Sequence, residues 1–391
     1  LQRIAHSSFL GLTNPLAPRL AAKLITLANQ GKGKLARAIF SDDGSTAIEA
    51  ATKVVYQSFQ LAGETNRRQF VCRNKGYHGD TVGAMSVGKS ASFHGAYKPL
   101  LFKTYASMTP YCYRCRFNKA KPEKSDARSY RDCKFECVDV FRATIQRAGS
   151  SFAGAVIEPM VQGAAGMVMQ PKGYLSAIAD IVRDHGGRLI LDEVMTGFMR
   201  TGRMFAFMHE RCHPDVVAVA KGLTGGYLPM AATLVSSQIV EPFMGGLERT
   251  FYHGHSYSGN QLGCAAAAAN LRLLCRHGLP MDLAERAHHL GELSSIFWDH
   301  PNVGDVRQSG HILAVEIVKN RMSRAPFDRR LRTGWMISEA ARDYGLLTRS
   351  VGDVLVLMPC LSATKRDISG MIEGLWSALC KVLPHRRVVR V

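Results

Sequence analysis

The sequence lacks long hydrophobic runs and has few acidic residues. Its longest run of small apolar residues, Cys264 to Ala269, is far shorter than the roughly 20 residues that a membrane-spanning helix needs. We therefore predict that no membrane takes part in its function. Only 31 acidic residues stand against 50 basic ones, which gives a formal net charge of +19.

The excess of positive charge has two explanations. Basic residues concentrate between Arg114 and Lys134 and again in the tail from His385 to Arg390. A nucleic-acid-binding surface would account for them, but no RNA- or DNA-binding motif accompanies the charge. We interpret it as a solvated basic surface that attracts small anionic molecules, and we predict no nucleic-acid partner.

The chain also lacks internal repeats and low-complexity tracts, and its 391 residues are enough for two domains. From about Ala38 onward, short apolar runs alternate with amphipathic stretches, which is typical of an α/β fold. Four runs show no polar alternation, as expected for strands covered on both faces: residues 154–157, 188–191, 216–220 and 231–235. Residues 174–184 are predicted as a helix.

After Pro280 the pattern changes. Helices are predicted at residues 281–297 and 331–344, and strands at 312–318, around Leu346-Leu347 and at 354–357. This arrangement favours a smaller α+β domain. We predict a large domain over residues 1–278 and a small C-terminal domain over residues 279–391.

Ten cysteines are spread along the chain, several inside apolar stretches. This distribution favours reduced thiols in a cytoplasmic enzyme over a disulfide framework. Four of them form two close pairs, Cys112-x-x-Cys115 and Cys133-x-x-x-Cys137, in a possible insertion over residues 111–137. Two such pairs can bind zinc tetrahedrally, but the surrounding loop is undefined, and we predict free thiols and no metal site.

Two charged residues follow apolar runs in the predicted large domain. Asp192 ends the run in LILDEVMTGF, and Lys221 ends VVAVAK before GLTGG. Ligands of open α/β sheets collect beyond the carboxyl ends of strands, so both groups can reach one crevice. Pyridoxal phosphate needs such a pair: an amine to form a Schiff base and a carboxylate to face the pyridine nitrogen. For one residue alone, a helix-capping aspartate or a solvated lysine would be the better explanation.

The segment SDDGSTAIEAATKVVYQSF is a candidate phosphate site. It starts with Gly44-Ser45-Thr46, and the apolar residues after them recur at helical spacing. Free N–H groups at a helix start, with hydroxyl groups nearby, bind anions. Serine and threonine are also ordinary helix caps. The segment therefore indicates a phosphate site only in combination with Asp192 and Lys221.

With these motifs the chain resembles the class III (ornithine/GABA-type) aminotransferases. The markers span nearly the whole chain: SDDGSTAIEAA, GYHGDTVGAMSVG, VIEPMVQGAAGM, LDEVMTGFMRTG, AKGLTGG and FYHGHSYSGNQLGCAAA. The second and third markers favour the branch of the family that works in biotin biosynthesis. The resemblance implies pyridoxal phosphate as cofactor and an aspartate-aminotransferase-like fold of type I, with a large mixed-sheet domain and a small α+β domain. It also implies an upstream family segment, which we expect to be missing here.

Matched position by position, the resemblance implies roles for single residues. Lys221 forms the Schiff base, Asp192 holds the pyridine nitrogen, and Tyr77 lies against the cofactor ring, with core packing as the alternative for Tyr77 and His78. The implied cofactor contacts are Gly44, Ser45, Thr46, Tyr77, Glu158, Asp192, Lys221, His255 and Ser256. The implied substrate contacts are Tyr77, Arg200, Lys221, Gly254 and Arg349. Because His255 and Ser256 are implied to reach the neighbouring subunit's phosphate, the resemblance predicts a homodimer with shared sites.

Two positions bear on the substrate. Arg349 falls where the biotin branch has an arginine for the far carboxylate of the keto acid, to which a guanidinium can form two bonds; the alternative is an exposed strand-edge arginine. Val356 falls where glutamate-using members carry an arginine, which speaks against glutamate as donor. We expect conversion of 8-amino-7-oxononanoate to 7,8-diaminononanoate with S-adenosylmethionine as donor.

Two other functions stay open at this point. One is another class III aminotransferase, which would take lysine, ornithine, a diamine or β-alanine as donor. The other is a basic binding protein that has lost catalysis, against which Asp192 and Lys221 argue.

Overall fold

The computed structural model describes residues 6–31 and 33–384. The strands there are, in chain order, β1 (Leu35–Ser41), β2 (Gln69–Arg73), β3 (Tyr105–Ser107), β4 (Phe152–Ile157), β5 (Val161–Gln162), β6 (Val168–Met169), β7 (Arg188–Asp192), β8 (Val216–Val219), β9 (Ala231–Ser236), β10 (Val303–Ser309), β11 (Ile312–Ile317), β12 (Arg349–Val351) and β13 (Val354–Leu357). The α-helices are α1 (Leu16–Asn29), α2 (Gly44–Leu61), α3 (Val82–Val87), α4 (Ala91–His94), α5 (Glu136–Ala148), α6 (Tyr174–Asp184), α7 (Ser237–Val240), α8 (Gln261–Leu274), α9 (Leu279–Ser294), α10 (Thr333–Ala340) and α11 (Lys365–Val382).

The larger sheet has seven strands in the order β1-β9-β8-β7-β4-β2-β3. The strands from β8 to β3 run parallel to one another, and β9 lies antiparallel between β1 and β8. This is the large mixed sheet that the family resemblance predicts. The four strands predicted in the large domain are confirmed, with ends shifted by at most two residues, and the helix at 174–184 is confirmed as α6.

Both faces of the larger sheet are buried. On β8, Val217 and Val219 pack into one apolar cluster, whereas Val216 and Ala218 pack into another on the opposite face. Side chains alternate between the faces of a strand, and both faces of β8 meet apolar neighbours. This explains why the sequence shows no polar alternation in these runs.

The smaller sheet is antiparallel, in the order β10-β11-β13-β12. The predicted helix at 281–297 is confirmed as α9, which continues as a 3-10 turn through Asp299, and the one at 331–344 as α10 and a 3-10 turn through Tyr344. We still propose residue 279 as the domain boundary. Within α9, Leu283 packs in a core of the larger sheet and Leu290 in that of the smaller sheet.

The prediction of a strand around Leu346-Leu347 is wrong. The helical segment before it stops at Gly345, whose φ of +73° suits a glycine. Leu346 then packs in the small-domain core and Leu347 is 80% exposed, so these residues form a connection. The strand begins two residues later, at Arg349.

The predicted insertion at 111–137 lies against the smaller sheet. Its backbone is largely irregular, and the amide of Ala127 donates to the carboxylate of Asp305 at 3.2 Å. Arg128 binds the carbonyl of Gln308 at 2.8 Å, and Arg324 binds that of Ala120 at 2.5 Å. The basic tail from residue 385 to 390 lies outside the described residues.

The four cysteines of this segment line one small cavity of about 10 Å³, together with Pro110, Asn118, Arg131, Phe135 and Pro171. Neither they nor the other six cysteines form a disulfide. Within residues 6–31 and 33–384, no three His, Cys, Asp or Glu side chains are arranged as ligands of a metal ion. That the cysteines serve as free thiols without a metal stays a prediction. In the same part of the chain, no helix combines the length and apolar character needed to cross a membrane.

Candidate active site

A cavity of about 930 Å³ lies beside the carboxyl ends of β7 and β8. The start of α2 borders it on one side, and residues 349–352 of the smaller sheet border it on another. The predicted site residues that line it are Gly44, Ser45, Tyr77, Glu158, Asp192, Lys221 and Arg349. The structure therefore brings together groups that are separated by up to 305 positions of sequence, from Gly44 to Arg349.

The other predicted site residues lie off this lining: Thr46, Arg200, Gly254, His255 and Ser256. Arg200 donates to the backbone carbonyl of Pro359 at 2.6 Å. Nδ1 of His255 lies 2.9 Å from the carboxylate of Asp42, a lining residue. Within a single chain, these five residues do not line the cavity.

The start of α2 forms a cradle for an anion. Asp43 caps the helix, and its amide and carboxylate bond reciprocally with Thr46 at 3.0 Å. The first N–H groups of a helix have no partner within it, and at Gly44 and Ser45 they border the cavity. Glycine is required here, because a Cβ at position 44 would lie 2.7 Å from a methyl group of Val194.

A second glycine closes the cradle from the other side. Gly79 has a φ of +122°, and a Cβ there would lie 2.1 Å from the Ser45 hydroxyl oxygen. The amide of Asp80 donates to the same hydroxyl at 3.3 Å. The loop after Tyr77 and the start of α2 therefore pack directly against each other.

Asp192 is a buried carboxylate with two partners. One oxygen lies 2.7 Å from Nδ1 of His78, and the other accepts from the amide of Val194 at 3.0 Å. Both His78 and Asp192 are almost fully buried. Sequence reasoning missed this role of His78, although its position beside Tyr77 was a signal.

Glu158 is buried beside this pair. Its carboxylate accepts from the amide of Tyr77 at 3.2 Å and from that of Gly163 at 2.9 Å. Burial raises the pKa of Glu158 above its usual value, and the nearby Asp192 adds to the rise, whereas His78 opposes it. Glu158 thus fixes the backbone on two sides of the cavity.

Tyr77 is held by polar and aromatic contacts. Its hydroxyl donates to Asp80 at 3.0 Å, and its ring stacks on His94 at a centroid distance of 5.5 Å and meets the edge of Phe93 at 5.7 Å. Burial, followed by the bond to Asp80, raises the pKa of Tyr77 to about 12. The phenol therefore stays neutral near pH 7 and offers a rigid face for a planar ligand.

Lys221 follows β8 and is exposed at the cavity. Its backbone has a φ of +41°, in the left-handed region. This conformation costs a residue other than glycine about 1–3 kcal/mol, and such strain concentrates at functional sites. Nine other non-glycine residues of the described ranges also have a positive φ, so the candidate role of Lys221 rests on its position at the cavity.

Residues 1–379 match the family description aminotransferase class-III. The chain belongs to this family. The family's chemistry makes this class III aminotransferase a transaminase that depends on pyridoxal phosphate. It is 40% identical to the adenosylmethionine-8-amino-7-oxononanoate aminotransferase of Geobacter sulfurreducens, over 96% of this chain and 81% of the relative.

Solved structures agree with this assignment. The crystal structure of the Methanocaldococcus jannaschii protein of the same name superposes with a TM-score of 0.87 and 34% identity, over 97% of this chain and 82% of that one. An amine transaminase from an uncultivated Pseudomonas species, in its PLP-bound form, gives a TM-score of 0.89 and 31% identity, over 97% of this chain and 84% of that one.

The lining residues of this class III aminotransferase fit pyridoxal phosphate. The N–H groups at the start of α2 suit a phosphate, and the buried carboxylate of Asp192 suits a protonated ring nitrogen. Tyr77 offers a ring face, and the amine of Lys221 reaches the same cavity. All four groups come from the described part of one chain.

Proposed function

We propose that this enzyme transfers an amino group to 8-amino-7-oxononanoate, giving 7,8-diaminononanoate in biotin biosynthesis, with S-adenosylmethionine as the donor. Five relatives named for adenosylmethionine and 8-amino-7-oxononanoate support the proposal, at 36–41% identity over 96% or more of this chain. The structural observation that carries it is the position of Arg349 at the cavity.

The cavity suits an acceptor that has a carboxylate at the end of an aliphatic chain. Arg349 is exposed at its border, where its guanidinium can form two charge-assisted hydrogen bonds to a carboxylate. The apolar side chains of Val161, Met167 and Val351 line the same cavity. They offer the methylene chain of the acceptor an environment without polar groups to desolvate.

The apolar side chain at position 356, Val356, argues against glutamate as the amino donor. It pairs with Arg349 in the register of β12 and β13, and only 4% of its surface is exposed. This buried isopropyl group cannot form an ion pair with an α-carboxylate.

Each catalytic side chain has a distinct task in the proposed reaction. Pyridoxal phosphate, when bound, supplies an electron sink for the carbanion that forms when the donor loses its α-proton. The amine of Lys221 takes this proton, and it returns one in the second half of a ping-pong cycle. The carboxylate of Asp192 would keep a proton on the pyridine nitrogen of the bound cofactor, and His78 holds this carboxylate in place through the 2.7 Å contact.

We also propose a homodimer. Large apolar side chains are exposed in the segments around the cavity: Tyr227, Leu228, Tyr252, Tyr257 and Leu262. A second copy packed on these segments would cover these side chains, which are large and apolar. Gly254, His255 and Ser256, which lie in one of these segments, are proposed to act in the partner's site.

The remaining family contacts and the location are proposed on the same basis. Thr46 flanks the phosphate site from the first turn of α2. Arg200 reaches substrate only if its guanidinium leaves the carbonyl of Pro359. The free cysteines support the cytoplasm as the place of action.

A second candidate is a class III enzyme that takes another donor amine, which the structural likeness to an amine transaminase favours. To separate the two, the cofactor-loaded enzyme is offered S-adenosylmethionine, lysine, ornithine, a diamine, β-alanine and glutamate in turn. Loss of the cofactor's absorption band reports each half-reaction. We expect S-adenosylmethionine to react, and 8-amino-7-oxononanoate to restore the band with formation of 7,8-diaminononanoate. Failure of this acceptor after any reactive donor would refute the biotin-pathway assignment.

A further inference from the structure

One wall of the active-site cavity consists of the turn between β5 and β6. Gly163, Ala164 and Met167 of this turn line the cavity. The two strands have only two residues each, and an isolated hairpin of this kind is not stable in water. Gly166 and Met167 also have positive φ values, +97° and +48°. The wall therefore needs support from outside the hairpin.

Arg307 on β10 supplies contacts to this turn. Its Nε donates to the carbonyl of Met167 at 2.8 Å, and Nη2 donates to the carbonyl of Gly166 at 2.6 Å. These are backbone contacts to two consecutive residues of the wall. They fix the path of the turn whatever side chains it carries.

The other donors of Arg307 are fully used as well. Nη1 binds Asp305 and Glu316, both at 2.8 Å, and Nη2 binds the Tyr111 hydroxyl at 3.3 Å. A guanidinium has five N–H donors in a fixed plane, and here each has a partner. Because two of the bonds go to the turn and three to the smaller sheet and residue 111, the guanidinium joins them rigidly.

The charges around Arg307 are balanced. Arg307, Asp305 and Glu316 are almost fully buried. Arg114 from the 111–137 segment adds a second guanidinium, 2.5 Å from Glu316. Two positive and two negative groups thus face one another, which avoids the large cost of an unpaired buried charge.

We propose that Arg307 is a positioning residue for acceptor binding, which holds the 163–167 wall against the substrate. The inference rests on the proposed function where it concerns the acceptor. Arg307 touches neither cofactor nor substrate, and it acts through the backbone of Gly166 and Met167.

The test uses the cofactor-loaded enzyme with Arg307→Lys, which keeps the buried positive charge but loses the planar fork. Arg321→Lys is the matched control, because Arg321 binds the carbonyls of Val303, Trp298 and His300 and does not contact the wall. We expect Arg307→Lys to raise the KM for the keto-acid acceptor about tenfold to a hundredfold, since small misplacements of binding groups have effects of this size. Its kcat, its cofactor band and its half-reaction with donor should change little.

Hydrogen exchange provides a readout that does not need activity. Amides of residues 161–169 should exchange about tenfold faster in Arg307→Lys than in the wild-type protein or in Arg321→Lys, because opening of this turn becomes easier. A purely structural role would lower the melting temperature without this local change and without the rise in KM. Wild-type KM and exchange in a folded Arg307→Lys variant overturn the proposal.

Two further outcomes are also decisive. If Arg307→Lys does not fold, Gly166→Ala displaces the same turn, because a Cβ there would lie 3.2 Å from Val354 at a φ of +97°. Unchanged KM and exchange in that variant likewise overturn the proposal. If the wild-type enzyme does not aminate the acceptor, the proposed function fails, and the exchange comparison alone decides whether Arg307 holds the wall.

Discussion

Gly79→Ala tests whether the cofactor's phosphate lies at the start of α2. The substitution adds one methyl group in a backbone with a φ of +122°, and this group would lie 2.1 Å from the Ser45 hydroxyl and 2.8 Å from the Ser45 Cα. A rotation of the hydroxyl cannot relieve the contact with the Cα. Either the loop after Tyr77 or the first turn of α2 has to move.

Two free-energy costs determine how strongly Gly79→Ala should lower stability and cofactor affinity. The left-handed backbone costs a residue with a side chain about 1–3 kcal/mol, and displacement of the helix start removes hydrogen bonds from its N–H groups to the phosphate, at about 1.5–3 kcal/mol for each charged contact. If one such contact is lost, the cofactor affinity should fall about tenfold to a hundredfold, since every 1.4 kcal/mol is a factor of ten. The backbone term should appear as a lower melting temperature.

Cofactor titration followed by absorbance measures the affinity, and thermal unfolding measures the stability. Gly63→Ala is the control, because Gly63 has a φ of +82° and no atom lies within 4 Å of the place that an added methyl group would take. It should lose a similar amount of stability and keep its affinity for the cofactor. Wild-type affinity in Gly79→Ala would refute the phosphate site at Gly44 and Ser45.

Three other substitutions or measurements follow from the site and the cysteine cavity. Lys221→Ala should abolish turnover and the visible cofactor band, which absorption spectroscopy checks directly. Arg349→Gln should raise the KM for the acceptor about tenfold to a hundredfold, since hydrogen bonds to charged groups contribute about 1.5–3 kcal/mol, and should leave the donor half-reaction unchanged. Burial raises the pKa of the Cys112 and Cys137 thiols to about 12. Because the thiolate is the reactive form, alkylation at pH 8 followed by mass spectrometry should label exposed Cys275 far faster, and labelling of the buried pair should rise with pH.

Each of these predictions has a contradicting result. A Lys221→Ala protein that retains both the band and turnover would remove Lys221 from the mechanism. For Arg349, the control is Arg330→Gln, because Arg330 is exposed and its substitution changes the charge equally. If both variants raise the KM for the acceptor equally, Arg349 acts only through net charge. Cysteines 112 and 137 that stay protected in denaturant until a chelator is added would contradict the free-thiol prediction.

The large-domain strands could be predicted because local composition determines them. The 216–220 run is apolar at every position, since β8 has cover on both faces. The strand near residue 346 could not be predicted in this way. Leu346 and Leu347 have the composition of a strand, but the pairing of Arg349 with Val356 sets where β12 begins, and that pairing depends on the tertiary fold.

The site could be predicted where one residue carries a distinctive chemistry. Asp192 and Lys221 stand at strand ends, and the structure brings them to one cavity. The pairing of His78 with Asp192 spans 114 positions; the position of His78 beside Tyr77 indicates that it lies near the site, but does not specify Asp192 as its partner. The same holds for Arg307, whose bond to Gly166 joins segments 141 residues apart.

This separation has a consequence for synthesis of the protein. The bond between Gly166 and Arg307 spans 141 residues. At about 5–20 residues per second, the ribosome needs roughly 7–28 s to add them. During that interval the nascent chain carries an unsupported turn, and Met167 and Met169 lack the side chains of β11 and β13 that cover them in the folded protein. The 163–167 turn can therefore acquire its contact with Arg307 only after translation has passed residue 307.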